Sequence, residues 1–166
     1  MKKVGPLGMK IFKIIHLVLV CMWIGGALAL VVMVNAIISQ KGGPYYGYLY
    51  AMKIVDDFIV IPGAMGTLLM GLLYGIFTSW GFFKHNWITV KWILTVTVIL
   101  FGTFFLGPWL NGSVEITGAL LDKPFEDMQV ASNLFKMNLW GALQVAFLIF
   151  MLVISVLKPW RKKKSS

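Results

Sequence analysis

The stretch Ile11-Phe-Lys-Ile-Ile-His16-Leu-Val-Leu-Val-Cys-Met-Trp23-Ile-Gly25-Gly26-Ala-Leu-Ala-Leu-Val-Val-Met-Val-Asn35-Ala-Ile-Ile38 decides the fold class. It is almost continuous hydrocarbon, with one lysine and one histidine near its start. A helix rises about 1.5 Å per residue, so this run is long enough to cross roughly 30 Å of lipid hydrocarbon. Lys2 and Lys3 precede it, as in a secretory leader. The run is too long for a leader's apolar region, however, and no small-residue cleavage site interrupts it early, so it reads as a retained helix.

Three more runs of this kind follow, at about 57–80, 87–110 and 134–157. None alternates apolar and polar residues. Backbone groups in lipid must be satisfied within their own segment, which favours helices over an open sheet. The composition agrees: of 166 residues, 59% are hydrophobic and only 13% charged, about half the charge a soluble domain carries. The chain therefore reads as one integral membrane domain over 1–166, all-α, a left-handed four-helix antiparallel bundle.

The net charge of +9 is concentrated beside apolar runs. Lys2, Lys3, Lys10 and Lys13 lie at the start, Lys84 in the middle connection, and Lys158, Arg161, Lys162, Lys163 and Lys164 at the end. All six acids (Asp56, Asp57, Glu115, Asp122, Glu126, Asp127) fall in the first and third connections. This placement speaks for membrane orientation and against nucleic acid as a partner. Both termini are expected in the cytoplasm.

The connections differ in character. Gly42-Gly43-Pro44 breaks the first helix, and Tyr45, Tyr46, Tyr48 and Tyr50 form an aromatic cluster suited to the outer headgroup layer. Asp57 is a candidate cap for the second helix, with a bend at Pro62-Gly63. A tight turn at about 81–86 makes the second and third helices a hairpin. Asp122 is a candidate cap for a helix entering through Pro124, so that 122–133 forms an amphipathic segment outside the membrane. Trp80, Trp87, Trp109, Trp140 and Trp160 suit interfacial belts, and Asn35, Asn111 and Asn138 suit helix ends. Gln144 lies mid-membrane and is expected to hydrogen-bond another helix. Cys21, the single cysteine, is expected to pack as a small apolar group and rules out an internal disulfide. Gly25, Gly26 and Ala27 in the first span, and Gly63, Gly66 and the Gly71/Gly75 pair in the second, are expected to let helices approach closely; the alternative is room for a flat ligand.

Ionisable groups within a span need a reason to be there. His16 lies three residues beyond Lys13 and Lys91 four beyond Trp87, each roughly 5–6 Å deeper along its helix. The two are therefore expected in one cytoplasmic half-layer. His16 shares a stripe with Trp23, Gly26 and Ala27, and Lys91 with Thr95 and Val98. Thr67, Met70, Tyr74 and Thr78 form a stripe on the second helix, and Gly141, Gln144, Met151 and Ser155 on the fourth. A polar pocket in that half of the bundle follows. The plainer readings are a lysine that snorkels to the headgroups, an imidazole bonded to a neighbour, and, for His85 in the turn, a solvated loop residue. A neutral imidazole inside a helix bundle is a natural axial ligand for haem iron. Met151 or Met70 is a softer second ligand, and Lys91 a ligand or a partner for a propionate. Ten methionines without an MxxM or MxM cluster argue against copper. No phosphate loop, HExxH or GxSxG is present.

The string from His16 through Trp23 to Gly25-Gly26 resembles the first helix of small four-helix bacterial membrane proteins, of the copper-resistance protein D type and a related family of unassigned function. Pro62-Gly63 and then Trp87-Ile-Thr-Val-Lys91 are similar to the second and third helices of that unassigned family. The membrane-bound protoporphyrinogen IX oxidase of bacteria has a comparable layout. The resemblance implies a haem-binding role for His16 and Lys91. The rest of the oxidase's histidine complement is absent here and its loops differ, so its activity is not carried over.

The expectation is thus a protein of the bacterial cytoplasmic membrane that binds haem b or a porphyrin, possibly for redox chemistry. His16 is the metal ligand, with Lys91, Trp23, Tyr74 and Met151 around the cofactor. The alternatives are an accessory protein for copper, a lipid or a protein partner, and a small oligomeric transporter. The lipid bilayer, another membrane protein or a second copy are the expected partners.

Overall fold

The structure is a computed structural model that describes residues 5–39, 45–78, 86–119 and 127–158. The sequence readings at His85, Lys84, Trp80, Trp160, Asp122, Pro124, the Gly42-Gly43-Pro44 break and the basic tail lie outside these residues. Four helices are long and apolar enough to cross a membrane: Pro6–Ser39, Tyr45–Phe77, Asn86–Ala119 and Met128–Leu157. Only 17% to 28% of each helix's most apolar window is buried inside the protein. The remaining apolar surface needs lipid, because water would not tolerate an apolar face of that extent.

Two boundaries differ from the sequence reading. The second helix begins at Tyr45, so its tyrosines form its first turns, and Asp57 is an internal residue instead of a cap. The third helix runs through Pro108 to Ala119 instead of ending near 110. Both differences have one cause. Asp56–Val60 and Gly102–Leu106 are π-helical turns, each ending two residues before a proline, Pro62 and Pro108. A helical proline lacks an N–H and presses on the carbonyl four residues back. Widening the preceding turn accommodates it: the N–H of Ile61 reaches the carbonyl of Asp56, and that of Gly107 reaches Gly102. The helices continue where a sequence reading ends them.

Helix packing places the small residues. A Cβ on Gly63 would lie 2.7 Å from the backbone nitrogen of Trp23, and one on Gly26 would lie 2.8 Å from the Val60 side chain. These are the positions where the first and second helices nearly touch. Gly25 faces open space, and Gly71 lies against the Trp92 ring instead of a backbone. Cys21 is exposed on the lipid face and does not pack in the core. One apolar cluster centres on Trp23, Val60, Val98 and Leu148. A second centres on Ile37, Leu49, Leu110 and Val130.

Polar bridges tie the fourth helix to its neighbours. Asn35 and Asn138 exchange amide hydrogen bonds of 2.9 and 3.2 Å, so they join two helices and cap neither. Buried Asn133 donates to Ser113 Oγ at 3.2 Å and to the Trp109 carbonyl at 3.4 Å. The described cap of the fourth helix is Asp127, whose carboxylate accepts from the N–H groups of Gln129 and Val130. From there the helix is continuous, and Val130, Asn133 and Leu134 are buried, so the part of 122–133 that is described packs on the bundle. Replacing Asn133 by alanine is expected to cost roughly 1 kcal/mol, the usual range for an interhelical hydrogen bond within lipid. Unfolding in mixed detergent micelles measures it.

Candidate functional site

A cavity of about 750 Å³ gathers the expected site residues: His16, Trp23, Tyr74, Lys91 and Met151 all line it. Its size is that of a small-molecule or cofactor site, typically ~300–1,000 Å³. All four helices contribute. The first presents His16 and Trp23 on one stripe, and the second presents Thr67, Gly71, Tyr74 and Gly75, spaced so that all face one side. The third adds Trp87, Lys91, Trp92 and Thr95, and the fourth adds Leu148, Met151 and Ser155.

The imidazole of His16 meets the Tyr74 ring edge-on, with centroids 5.8 Å apart and planes at 83°. Phe12 meets the same tyrosine at 6.0 Å and 82°. Tyr74 thus meets both rings edge-on, at the wall that His16 lines. His16 Nδ1 is buried and has no hydrogen-bond partner. Thr67 Oγ1, on the same wall, is in the same condition. Leaving a buried polar atom unpaired costs about 1–3 kcal/mol, so two on one cavity wall call for a ligand. The Met151 sulfur accepts a hydrogen bond from Thr95 Oγ1 at 3.4 Å, which fixes its position on the wall.

Among the described residues lining this cavity, every charged side chain is a lysine: Lys10, Lys13, Lys91 and Lys158. Lys91 is thus one of four lysines on the cavity wall. Gly71 and Gly75 both line the cavity, and a Cβ on Gly71 would meet the Trp92 ring. Trp87 is buried, 9% exposed, and forms part of the wall. Met70 is buried outside this wall, which removes it as a ligand. Among the described residues no three His, Cys, Asp or Glu side chains come together as a metal-sized group.

A second cavity, of about 430 Å³, lies on the other side of Trp23, which lines both. Its charged residues are Asp56 and Asp57, and Gln144 lines it as well. The interhelical bond expected of Gln144 is not made by its carbonyl: Oε1 is buried without a partner. Sequence reasoning missed this site because the two aspartates read as the end of a connection. The one available signal was Pro62, a proline six residues after Asp56 in an otherwise apolar run.

No family model, curated protein or solved structure matches this chain.

Proposed function

We propose that the lysine-lined cavity binds a b-type haem or a related porphyrin in the cytoplasmic membrane of a bacterium, for membrane redox chemistry. The observation that carries this reading is the unpartnered His16 Nδ1 beside a cavity whose charges, among the described residues, are all cationic. A porphyrin with two propionates matches both features: an imidazole for the metal, and ammonium groups for the carboxylates. His16 is the axial ligand. Lys91 is the charge partner or the second ligand, and Met151 is the softer candidate for that second position. Tyr74, Trp87 and Trp92 supply flat apolar walls, and the Thr67 hydroxyl is a free donor. Haem, when bound, supplies one-electron redox chemistry; the chain's part is to orient it and to exclude water and lipid.

The orientation belongs to the same proposal. The wall joins the start of the first helix, the end of the second, the start of the third and the end of the fourth, which supports an antiparallel bundle. Its lysines then face the cytoplasm by the positive-inside rule, with both termini on that side. An electron partner would be another membrane protein or a second copy.

The test is spectroscopic. Protein purified from cells supplied with a haem precursor is expected to show a Soret band, and His16→Ala is expected to lose it while remaining folded. Lys91→Met should retain the band with weaker retention of haem. A folded, colourless wild-type protein that takes up no added haemin would end this reading. The lysine rim and apolar walls also suit an anionic lipid, the second reading. In that case delipidation, and not His16→Ala, would alter the protein.

A further inference from the structure

The second cavity is built unlike the first. Its volume of about 430 Å³ is walled mainly by apolar groups, and among the described residues its charged ones are Asp56 and Asp57. Asp56 lies about 17 Å along the second helix from Tyr45, so it sits within the helix and not in a connection. Lys53 forms an ion pair with Asp57 at 2.9 Å. The pair is partly exposed, at 33% and 39%. It uses the one lysine one turn away and leaves Asp56 with no cation of its own among the described ion pairs. A carboxylate on a mainly apolar wall is best matched by a cation.

A second feature points to the nature of that partner. Gln144 is 8% exposed, lines this cavity, and keeps Oε1 buried with no donor. Its amide lies over Gly102, where a Cβ would approach Nε2 at 3.7 Å. Both π-helical turns border the cavity: Asp56 opens one and Gly102 the other. Such turns often mark functional positions in helices. The site thus lines a mainly apolar cavity with a carboxylate and an unpartnered carbonyl, both acceptors, and is far larger than a bare ion needs.

We propose that this chamber binds a protonated amine carried on a compact apolar body, with the Asp56 carboxylate as counter-charge and Gln144 Oε1 as hydrogen-bond acceptor. The ammonium supplies the missing cation and the missing donor at once. The hydrocarbon part fills the chamber between the second and third helices. This site is separate from the haem proposal, and its ligand has the opposite charge.

The experiment uses the full chain in detergent and phenethylamine as the probe, with binding read by thermal shift and titration calorimetry. Phenethylamine is expected to stabilise the protein, and phenethyl alcohol, which lacks the charge, is not. The trimethylated ammonium, which has no N–H, should bind more weakly. Asp56→Asn and Gln144→Met are each expected to weaken binding roughly ten-fold or more, the effect of losing a charge-assisted hydrogen bond. Cys21→Ala, exposed and outside both cavities, should bind as the wild type does. If Asp56→Asn does not fold, Gln144→Met carries the test. Equal shifts from amine and alcohol would overturn the proposal. So would wild-type affinity in a folded Asp56→Asn or Gln144→Met, or a shift produced by sodium alone to which the amine adds nothing.

Discussion

Gly63→Ala is expected to lower stability by about 3 kcal/mol, the upper part of the usual ~1–3 kcal/mol cost of inserting one methyl group into a packed contact. The new Cβ would lie 2.7 Å from the Trp23 backbone nitrogen, 3.1 Å from the Trp23 Cα and 3.1 Å from the Leu19 carbonyl oxygen. All three are main-chain atoms, so no rotamer change relieves the clash. The first and second helices must separate instead. In lipid, association rests on close packing, since water supplies no drive between helices, and separation forfeits contacts along both. Gly66→Ala is the informative comparison. Its Cβ would come still closer, 2.6 Å, but to a terminal methyl of Leu19, which can rotate away. It should cost well under half as much. Gly25→Ala meets nothing and should be neutral or slightly stabilising, because alanine suits a helix better by roughly 0.5–1 kcal/mol. Equal unfolding midpoints for Gly63→Ala and Gly25→Ala in micelles would refute the close approach. Because Trp23 and His16 ride on the displaced helix, Gly63→Ala should also weaken ligand retention in the lysine-lined cavity.

Hydropathy alone revealed the four spans, because a backbone in lipid has few options and a long apolar run has one reading. The ends were harder. Asp56, Asp57, Pro62 and Pro108 are ordinary marks of a helix boundary, yet each lies inside a helix. The π-helical turns accommodate both prolines, and turns of that kind leave no distinct trace in residue type. The lysine-lined site was legible for a related reason. Periodicity of 3.6 places His16 and Trp23 on one stripe and Lys91 and Thr95 on another, and helix rise places His16 and Lys91 at one depth. What periodicity cannot give is which stripe of one helix faces which stripe of the next. Met70 and Tyr74 share a stripe, but only Tyr74 reaches the cavity wall. Trp87 could be read as an anchor because tryptophan suits both an interface and a core. The aspartate-lined cavity was invisible because it depends on Asp56 being internal to a helix, which only the widened turn makes so.

The largest loss should follow from Trp23→Ala. Trp23 is 3% exposed, lies in the central apolar cluster, and is on the wall of both cavities. Its indole is therefore expected to divide a cavity whose described charges are lysines from one whose described charges are aspartates. Removing it deletes a large buried side chain between two existing voids, where neighbouring groups cannot close in from either side. Truncations of buried tryptophan or phenylalanine cost about 3–5 kcal/mol, more where the site cannot collapse, and this site has least to collapse with. Trp23→Phe keeps a ring in the partition and should cost about half as much. The functional consequence is separable from stability. With the partition gone, the two chambers become one passage with ionisable groups at both ends. Reconstituted Trp23→Ala should therefore leak protons or small cations across vesicles, whereas the wild type and Trp23→Phe should hold a gradient. His16 remains in place, so under the haem proposal the variant should still show a Soret band, broadened by a looser wall. If Trp23→Ala proves as stable and as tight to protons as Trp23→Phe, the indole does not divide the bundle, and the two cavities must be kept apart by the apolar groups around it.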